Sequence, residues 1–287
     1  MLSFPVSPGL GQRFQGWTWD GVKWTPTKND RAPKCGLLKL NGSSPSNALI
    51  FVPYKGDDIK INGLIYRIPA GGIVATYNNL YLEKVPGSTL AIGNTYFIYA
   101  FVVNNAVQLN FSANGHATSS TAGNVGTEIR SGDDTQTLVG VVVTGGSAPN
   151  IFYDSVLFRY LRSWFNRPRM VLSAATNGPG PAGAPQAVLG LGWMSFFDDS
   201  YVADCMWWGT STVSGNIFAS FRLNGVDTGG SFGCSTPHQT GAYRTSIGRT
   251  AGTPVDGYNN LNMMIRTDYG ADPNGYYWNM ATVAGPY

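Results

Sequence analysis

Residues Thr95–Val103, Thr-Tyr-Phe-Ile-Tyr-Ala-Phe-Val-Val, constrain the fold more than any other stretch of the chain. Beyond Thr95 every residue is apolar, and there is no alternation of the kind that marks a strand with one wet face. The run is short for a helix and rich in aromatic and β-branched residues, so it reads as a central strand buried on both faces. A fold that contains it must supply cover on each side.

The flanking sequence supplies further strands. Leu49–Pro53, Ile59–Pro69, Gly72–Thr76, Leu80–Val85, Val107–Phe111 and Leu138–Thr144 alternate with turn signals. Asn62-Gly63 divides Ile59–Pro69 into two arms joined by a two-residue turn, because both central positions of such a turn need φ > 0. Strands at this spacing predict a sandwich or barrel over residues 33–168. Ser112–Asp134, rich in Gly, Ser and Thr, is too long for a hairpin turn and is predicted to be a surface loop.

Phe158–Pro168, FRYLRSWFNRP, ends this region. A helix over 156–166 would align Leu157, Tyr160, Leu161, Trp164 and Phe165. A strand would place Val156, Phe158, Tyr160, Arg162 and Trp164 on one face. The β-rich surroundings favour the strand. Arg159, Arg162, Arg167 and Arg169 read as a solvated hinge with local salt bridges. Residues 169–186 follow as a linker, since three Pro and three Gly between Gly178 and Pro185 predict no regular structure.

Residues 187–287 again read as short strands: Ala187–Phe197, Tyr201–Thr210, Gly215–Leu223, Tyr243–Arg249, Leu261–Thr267 and Tyr276–Val283, with an Asn224-Gly225 turn. Charge supports an all-β chain with two modules. Charged residues make up only 12%, too few to clothe exposed helix faces. From Arg169 onward there is no Lys and no Glu, and five Arg stand against seven Asp. The net charge of +3 is too small to imply a nucleic-acid partner. No segment suits a membrane span or an export signal. Cys35, Cys205 and Cys234 suit neither a disulfide framework nor a zinc site; Cys205 and Cys234 are read as buried thiols or a pair.

Catalytic chemistry finds little material. His116 and His238 lie in turn-rich sequence with no metal-ligand spacing, and are predicted to be exposed loop residues. Asp198, Asp199 and Asp204 form the only acidic group that would suit a glycosidase. Adjacent strand residues point apart, however, so Phe-Phe-Asp-Asp-Ser-Tyr reads as a strand ending in a polar turn. Neither metal nor cofactor is expected.

The aromatic clusters carry the binding expectation. Residues 1–32 read as an arm in which Trp17, Trp19, Asp20, Gly21 and Trp24 form a hairpin too small to bury its own tryptophans. In Trp207-Trp208 and Tyr276-Tyr277-Trp278, successive strand residues face opposite ways, so some members point outward. Those would pack in a subunit interface, cover a loop or stack on a sugar ring.

The W-x-W-D-G-x-x-W pattern of the arm resembles segments that attach fibre and spike proteins of tailed bacteriophages to the virion. Residues 45–167, with TLVGVVV and SWFNR, resemble a module of alphaproteobacterial prophage fibre proteins. The strand order of 187–287, with G-Y-x-x-L and a later Arg, is similar to trimeric jelly-roll heads of the tumour-necrosis-factor type, although few residues follow the last strand. The resemblance implies a homotrimeric, non-enzymatic virion protein, made in the host cytoplasm and displayed on the particle. Its arm would bind other virion proteins and its C-terminal module a host glycan or protein. A capsid decoration protein without a receptor and a capsule-degrading glycosidase are the alternatives.

Overall fold

The computed structural model describes residues 13–14, 17–19, 24–26, 35–76, 79–145, 148–156, 158–179, 183–211, 215–236, 244–267 and 273–285. No helix occurs among them, and the protein is all-β. Strands β1 (Arg13–Phe14), β2 (Trp17–Trp19) and β3 (Trp24–Pro26) pair antiparallel, with Trp19 opposite Trp24. Asp20 and Gly21, and the side chains of the three tryptophans, lie outside the described residues.

The central module begins with β4 (Leu37–Leu40), β5 (Ala48–Val52), β6 (Asp58–Ile61), β7 (Leu64–Arg67), β8 (Ile73–Thr76), β9 (Tyr81–Leu82) and β10 (Val85–Pro86). It continues through β11 (Thr95–Val103), β12 (Ala106–Ser112), β13 (His116–Thr118), β14 (Glu128–Arg130) and β15 (Asp133–Val143), then β16 (Phe158–Arg159) and β17 (Leu161–Ser163). One large sheet runs β10-β9-β12-β11-β15-β14-β13, with β17 also on β15. The β4-β5-β8 sheet and the β6–β7 hairpin contribute Leu49, Phe51, Ile59 and Ile73 to a core shared with Ile98, Leu109 and Phe111 of the large sheet.

The nine-residue run is β11, in the middle of this sheet between β12 and β15. Tyr96, Ile98 and Ala100 face the module's own core. Tyr99 joins Leu138 and Val141 in a second cluster with Met194 and Phe196 of the C-terminal module. Its second layer of cover therefore comes from the other half of the chain.

The Asn62-Gly63 turn is present, with φ of 49° and 77°. The Ser112–Asp134 stretch departs from the predicted loop, for it contains the β13–β14 hairpin. The Asp134 carboxylate accepts hydrogen bonds from Thr121 Oγ1 (2.7 Å), Asn124 Nδ2 (2.6 Å) and the Ser119 hydroxyl, and these pin the connection. Phe158–Pro168 is strand only at Phe158–Arg159 and Leu161–Ser163, broken at Tyr160, and Trp164–Pro168 is irregular. Its first piece, β16, pairs in parallel with the C-terminal module and its second, β17, antiparallel with β15.

The predicted linker is also corrected. Strand β18 (Met170–Pro179) and the start of β19 (Gly183–Ser195) occupy it. Proline is tolerated because Pro179 ends an edge strand and Pro185 sits where the β19–β24 register shifts between Gly183 and Gln186. Then come β20 (Ser200–Ser211), β21 (Gly215–Leu223), β22 (Val226–Thr236), β23 (Arg244–Gly252), β24 (Gly257–Thr267) and β25 (Pro273–Ala284). The sheet orders β18-β25-β20-β23 and β19-β24-β21-β22 make an eight-stranded jelly roll, with β16 added beside β19. Trp193, Trp207, Phe221, Met263 and Tyr277 fill the space between the sheets.

Candidate functional site

Alternation along β20 and β25 decides which aromatic of each cluster is available. Trp207 and Tyr277 are 1% and 2% exposed, in the jelly-roll core, and the expectation that they meet a ligand is corrected. A strand places neighbours on opposite faces, and the core takes one set. Trp208 and Trp278, half-buried, fall on the outer face; the Tyr276 side chain lies outside the described residues.

That outer face is apolar for a solvent-facing surface. One cross-strand row reads Ala175, Trp278, Met206 and Ile247, and another reads Val171, Thr282, Val202 and Ala251. Val202 is 42% exposed and Ile247 66%. Between the two rows, Ser173 and Met280 lead to a single ion pair, Arg249 Nε to Asp204 Oδ1 at 2.7 Å. Trp278 Nε1 donates to Ser173 Oγ at 3.1 Å, which fixes the ring against the sheet. Singly exposed apolar residues need no explanation, whereas these two rows run across all four strands of the sheet.

The second concentration of unusual side chains is the junction between the modules. Arg162 is 1% exposed and forms a bidentate pair with Asp199, Nε to Oδ2 at 3.1 Å and Nη2 to Oδ1 at 2.9 Å. Its third donor, Nη1, reaches Pro168 O at 2.6 Å. Arg167 grips Asp198 with both terminal nitrogens, one contact being Nη2 to Oδ2 at 2.7 Å, and its guanidinium lies over the rings of Trp164 and Phe196. Burial opposes ionisation of Asp198, but the Arg167 hydrogen bonds outweigh it and hold the carboxyl below the usual range. The expected solvated hinge is thus a buried clamp, for Arg162 and Arg167. Arg159 pairs with Asp154 at 3.4 Å, and Arg169 is exposed.

His116 departs furthest from expectation. It stands on β13, not in an exposed loop, with a side chain only 4% exposed. Nδ1 lies 2.6 Å from Glu128 Oε1 of the central module, and Nε2 lies 3.2 Å from Asp256 Oδ2 of the C-terminal module. Phe97, Trp164, Phe196 and Phe197 surround the ring. Asp256 is itself fixed by Phe197 N at 2.6 Å, and Asn259 ties down the same loop through Val255 O at 2.8 Å. Burial alone would lower the pKa of His116; the Asp256 and Glu128 carboxylates reverse that and raise it to about 9. At neutral pH the imidazolium therefore bridges two carboxylates of different modules. His238 lies outside the described residues.

Sequence reasoning missed this junction because its partners lie far apart along the chain. The available signal was the excess of Arg and aromatic residues in Phe158–Pro168 together with Phe196-Phe197-Asp198-Asp199. Cys205 is a buried free thiol whose pKa burial pushes up to about 12, so it is inert; the Cys234 side chain lies outside the described residues. Among the described residues no group of His, Cys, Asp and Glu could hold a metal ion, and no helix is long and apolar enough to cross a membrane.

No protein-family model matches the chain, and no curated protein matches it. Among solved structures it is similar to CBM35 from Cellvibrio japonicus Abf62 (14% identity, 42% of this chain and 95% of that one, TM-score 0.20). It is also similar to a structure of infectious bursal disease virus (13%, 69% and 54%, TM-score 0.30). A third likeness is to the insecticidal delta-endotoxin Cry8Ea1 of Bacillus thuringiensis (9%, 88% and 51%, TM-score 0.27). The chain spans about half the length of the latter two. At these TM-scores the likenesses carry no argument about function.

Proposed function

We propose that this chain is a non-enzymatic virion protein, a homotrimeric bacteriophage fibre or spike anchored by its N-terminal residues and contacting the host surface through its C-terminal module. The observation that carries the reading is the apolar outer face of the β18-β25-β20-β23 sheet, with Trp278, Met206, Ile247 and Val202 in cross-strand rows. A second copy of the same module is the simplest cover for such a face, and a closed ring of copies covers all of them. Three weak host contacts on one rigid axis then reinforce each other, because binding of the first raises the effective concentration of the others. The clamp at Arg162, Arg167 and His116 supplies the rigidity.

The carboxylates considered for glycoside cleavage are engaged elsewhere, which favours adhesion over catalysis. Asp199 is buried against Arg162, Asp198 is held by Arg167, and Asp204 pairs with Arg249 on the sheet face. The full chain is expected to bind host cells, or polysaccharide extracted from them, without shortening the polymer. A chain lacking residues 1–32 should still bind but fail to join particles. Shortening that disappears in Asp198→Asn or Asp204→Asn would instead make the protein a depolymerase. Absence of both binding and cleavage would favour a decoration protein.

A further inference from the structure

With Trp207 and Tyr277 in the core and Trp208 and Trp278 on the assembly face, the aromatic clusters of the C-terminal module leave little for a ligand. The central module holds another aromatic site. Beside the end of β11 is a cleft of about 440 Å³, lined by Asn62 and Tyr66 of the β6–β7 hairpin, Tyr81 and Lys84 of the β9–β10 hairpin, Phe101 and Thr135. That volume lies in the range of small-molecule sites.

Its walls combine ring faces with unspent hydrogen-bonding groups. Tyr81 packs edge-on against buried Phe101, ring centroids 5.1 Å apart, which fixes its plane. Tyr66 and Tyr81 are half-buried, and among the described residues neither hydroxyl, nor the Asn62 side-chain amide, is hydrogen-bonded within the chain. Lys84 Nζ donates to Asp133 Oδ2 and Thr135 Oγ1, both at 2.9 Å, and an ammonium has a third proton to give. The charge of Lys84 is matched by Asp133. Burial works against that carboxylate, but hydrogen bonds from Thr135, Lys84 and Gln136 hold its pKa far below the usual range.

The turn that carries Lys84 is held in a costly shape. Glu83 and Lys84 both sit in the left-handed region, at φ of 51° and 64°, although neither is Gly. A polar network beneath maintains it. Lys84 N donates to Asn110 Oδ1 (2.7 Å), Asn110 Nδ2 to Gln136 Oε1 (2.6 Å) and Gln136 Nε2 to Asp133 Oδ2 (2.7 Å). Glu83 accepts from Ser112 Oγ and Arg130 Nη2, each at 2.6 Å. Asn110 and Gln136 are fully buried. The network thus holds Lys84, on a two-residue turn that needs φ > 0 at both positions, against the wall of the cleft.

We infer that this cleft binds a neutral pyranose ring of a surface glycan, its C–H face against Tyr66 or Tyr81 and its hydroxyls on Lys84, Asn62 and the tyrosine oxygens. The matched charge of Lys84 and Asp133 offers an anionic sugar no net attraction, and the spare donors and acceptors suit hydroxyls. The inference rests on the adhesion reading but not on the trimer, and it adds a host contact in the central module.

The test is a glycan array probed with the full chain, followed by saturation-transfer NMR with the methyl glycosides of glucose, galactose, mannose and N-acetylglucosamine and with N-acetylneuraminic acid. Binding of at least one neutral pyranoside is expected, weakened tenfold or more in Tyr66→Ala and in Lys84→Met. Asn62→Gly, which keeps the turn because Gly accepts φ > 0, should weaken it severalfold and serves if the other variants fail to fold. Silence across all neutral glycans, a preference for N-acetylneuraminic acid, or binding unchanged in the folded variants would each overturn the inference. Light scattering on the same sample reads the trimer separately, so a monomer that binds keeps the cleft and loses the trimer.

Discussion

The two large sheets of this protein treat their apolar faces differently. In the central module the sheet around β11 is covered on one side by β4-β5-β8 and β6–β7, and on the other by Met194 and Phe196 of the jelly roll. In the C-terminal module the β18-β25-β20-β23 sheet turns one face into the jelly-roll core, and among the described residues its outer side carries Trp278, Met206, Ile247 and Val202. The first sheet is completed within the chain. The second keeps exposed apolar rows on its outer side, and the proposed assembly through the jelly roll rests on that contrast.

The largest effects should come from the buried half of the contrast. Trp207→Ala would leave a cavity between the two sheets and cost about 3–5 kcal/mol, whereas Trp208→Ala on the outer face should change monomer stability far less. Thermal melts of the two variants sharpen the comparison, and equal losses would break it. At the junction, Asp199→Asn strands the buried Arg162 charge and should cost about 3–5 kcal/mol in denaturant unfolding. Arg162→Met combined with Asp199→Leu, which removes both charges, should recover part of that loss.

The next effect depends on pH. The folded pKa of His116 is raised from 6.5 to about 9, so its contribution is fully present below about pH 6.5 and is lost as pH rises through 9. The shift corresponds to about 3 kcal/mol. Urea unfolding at pH 6.5 and 9.5 should show a loss of that order, which His116→Gln abolishes. Equal pH dependence in the two proteins would mean that the imidazolium does not hold the modules together. The smallest effect belongs to the outer face once the copies are separated by Met206→Glu and Ile247→Glu, where Arg249 is exposed and adding Asp204→Asn should barely move the thermal melt.

These features were unevenly legible in the sequence. The lack of alternation in Thr95–Val103 announced a strand covered twice, and the Asn-Gly pairs at 62–63 and 224–225 marked real turns, with φ of 49° and 77°, then 51° and 84°. Alternation also implied that one of Trp207 and Trp208 faces inward. Which one does so depends on strand register, and a shift of one residue exchanges the faces. Propensity is local and gives no strand for the proline-rich start of the jelly roll, whereas an edge strand tolerates Pro through its place in the sheet. His116 was hidden for a different reason. Its carboxylates come from β14 and from the loop before β24, and only the folded chain brings them to one ring. Gly140 shows the same limit: a side chain there would meet Leu38 and the Arg162 carbonyl, at 2.5 and 2.7 Å, where β15 meets β17.

Multi-angle light scattering on the purified chain at micromolar concentration tests the central claim most directly. A mass three times that of the 30.8 kDa chain is expected, collapsing to one chain, still folded, when Met206 and Ile247 on the outer face are both replaced by Glu. A stable 30.8 kDa monomer of the unaltered protein would contradict it.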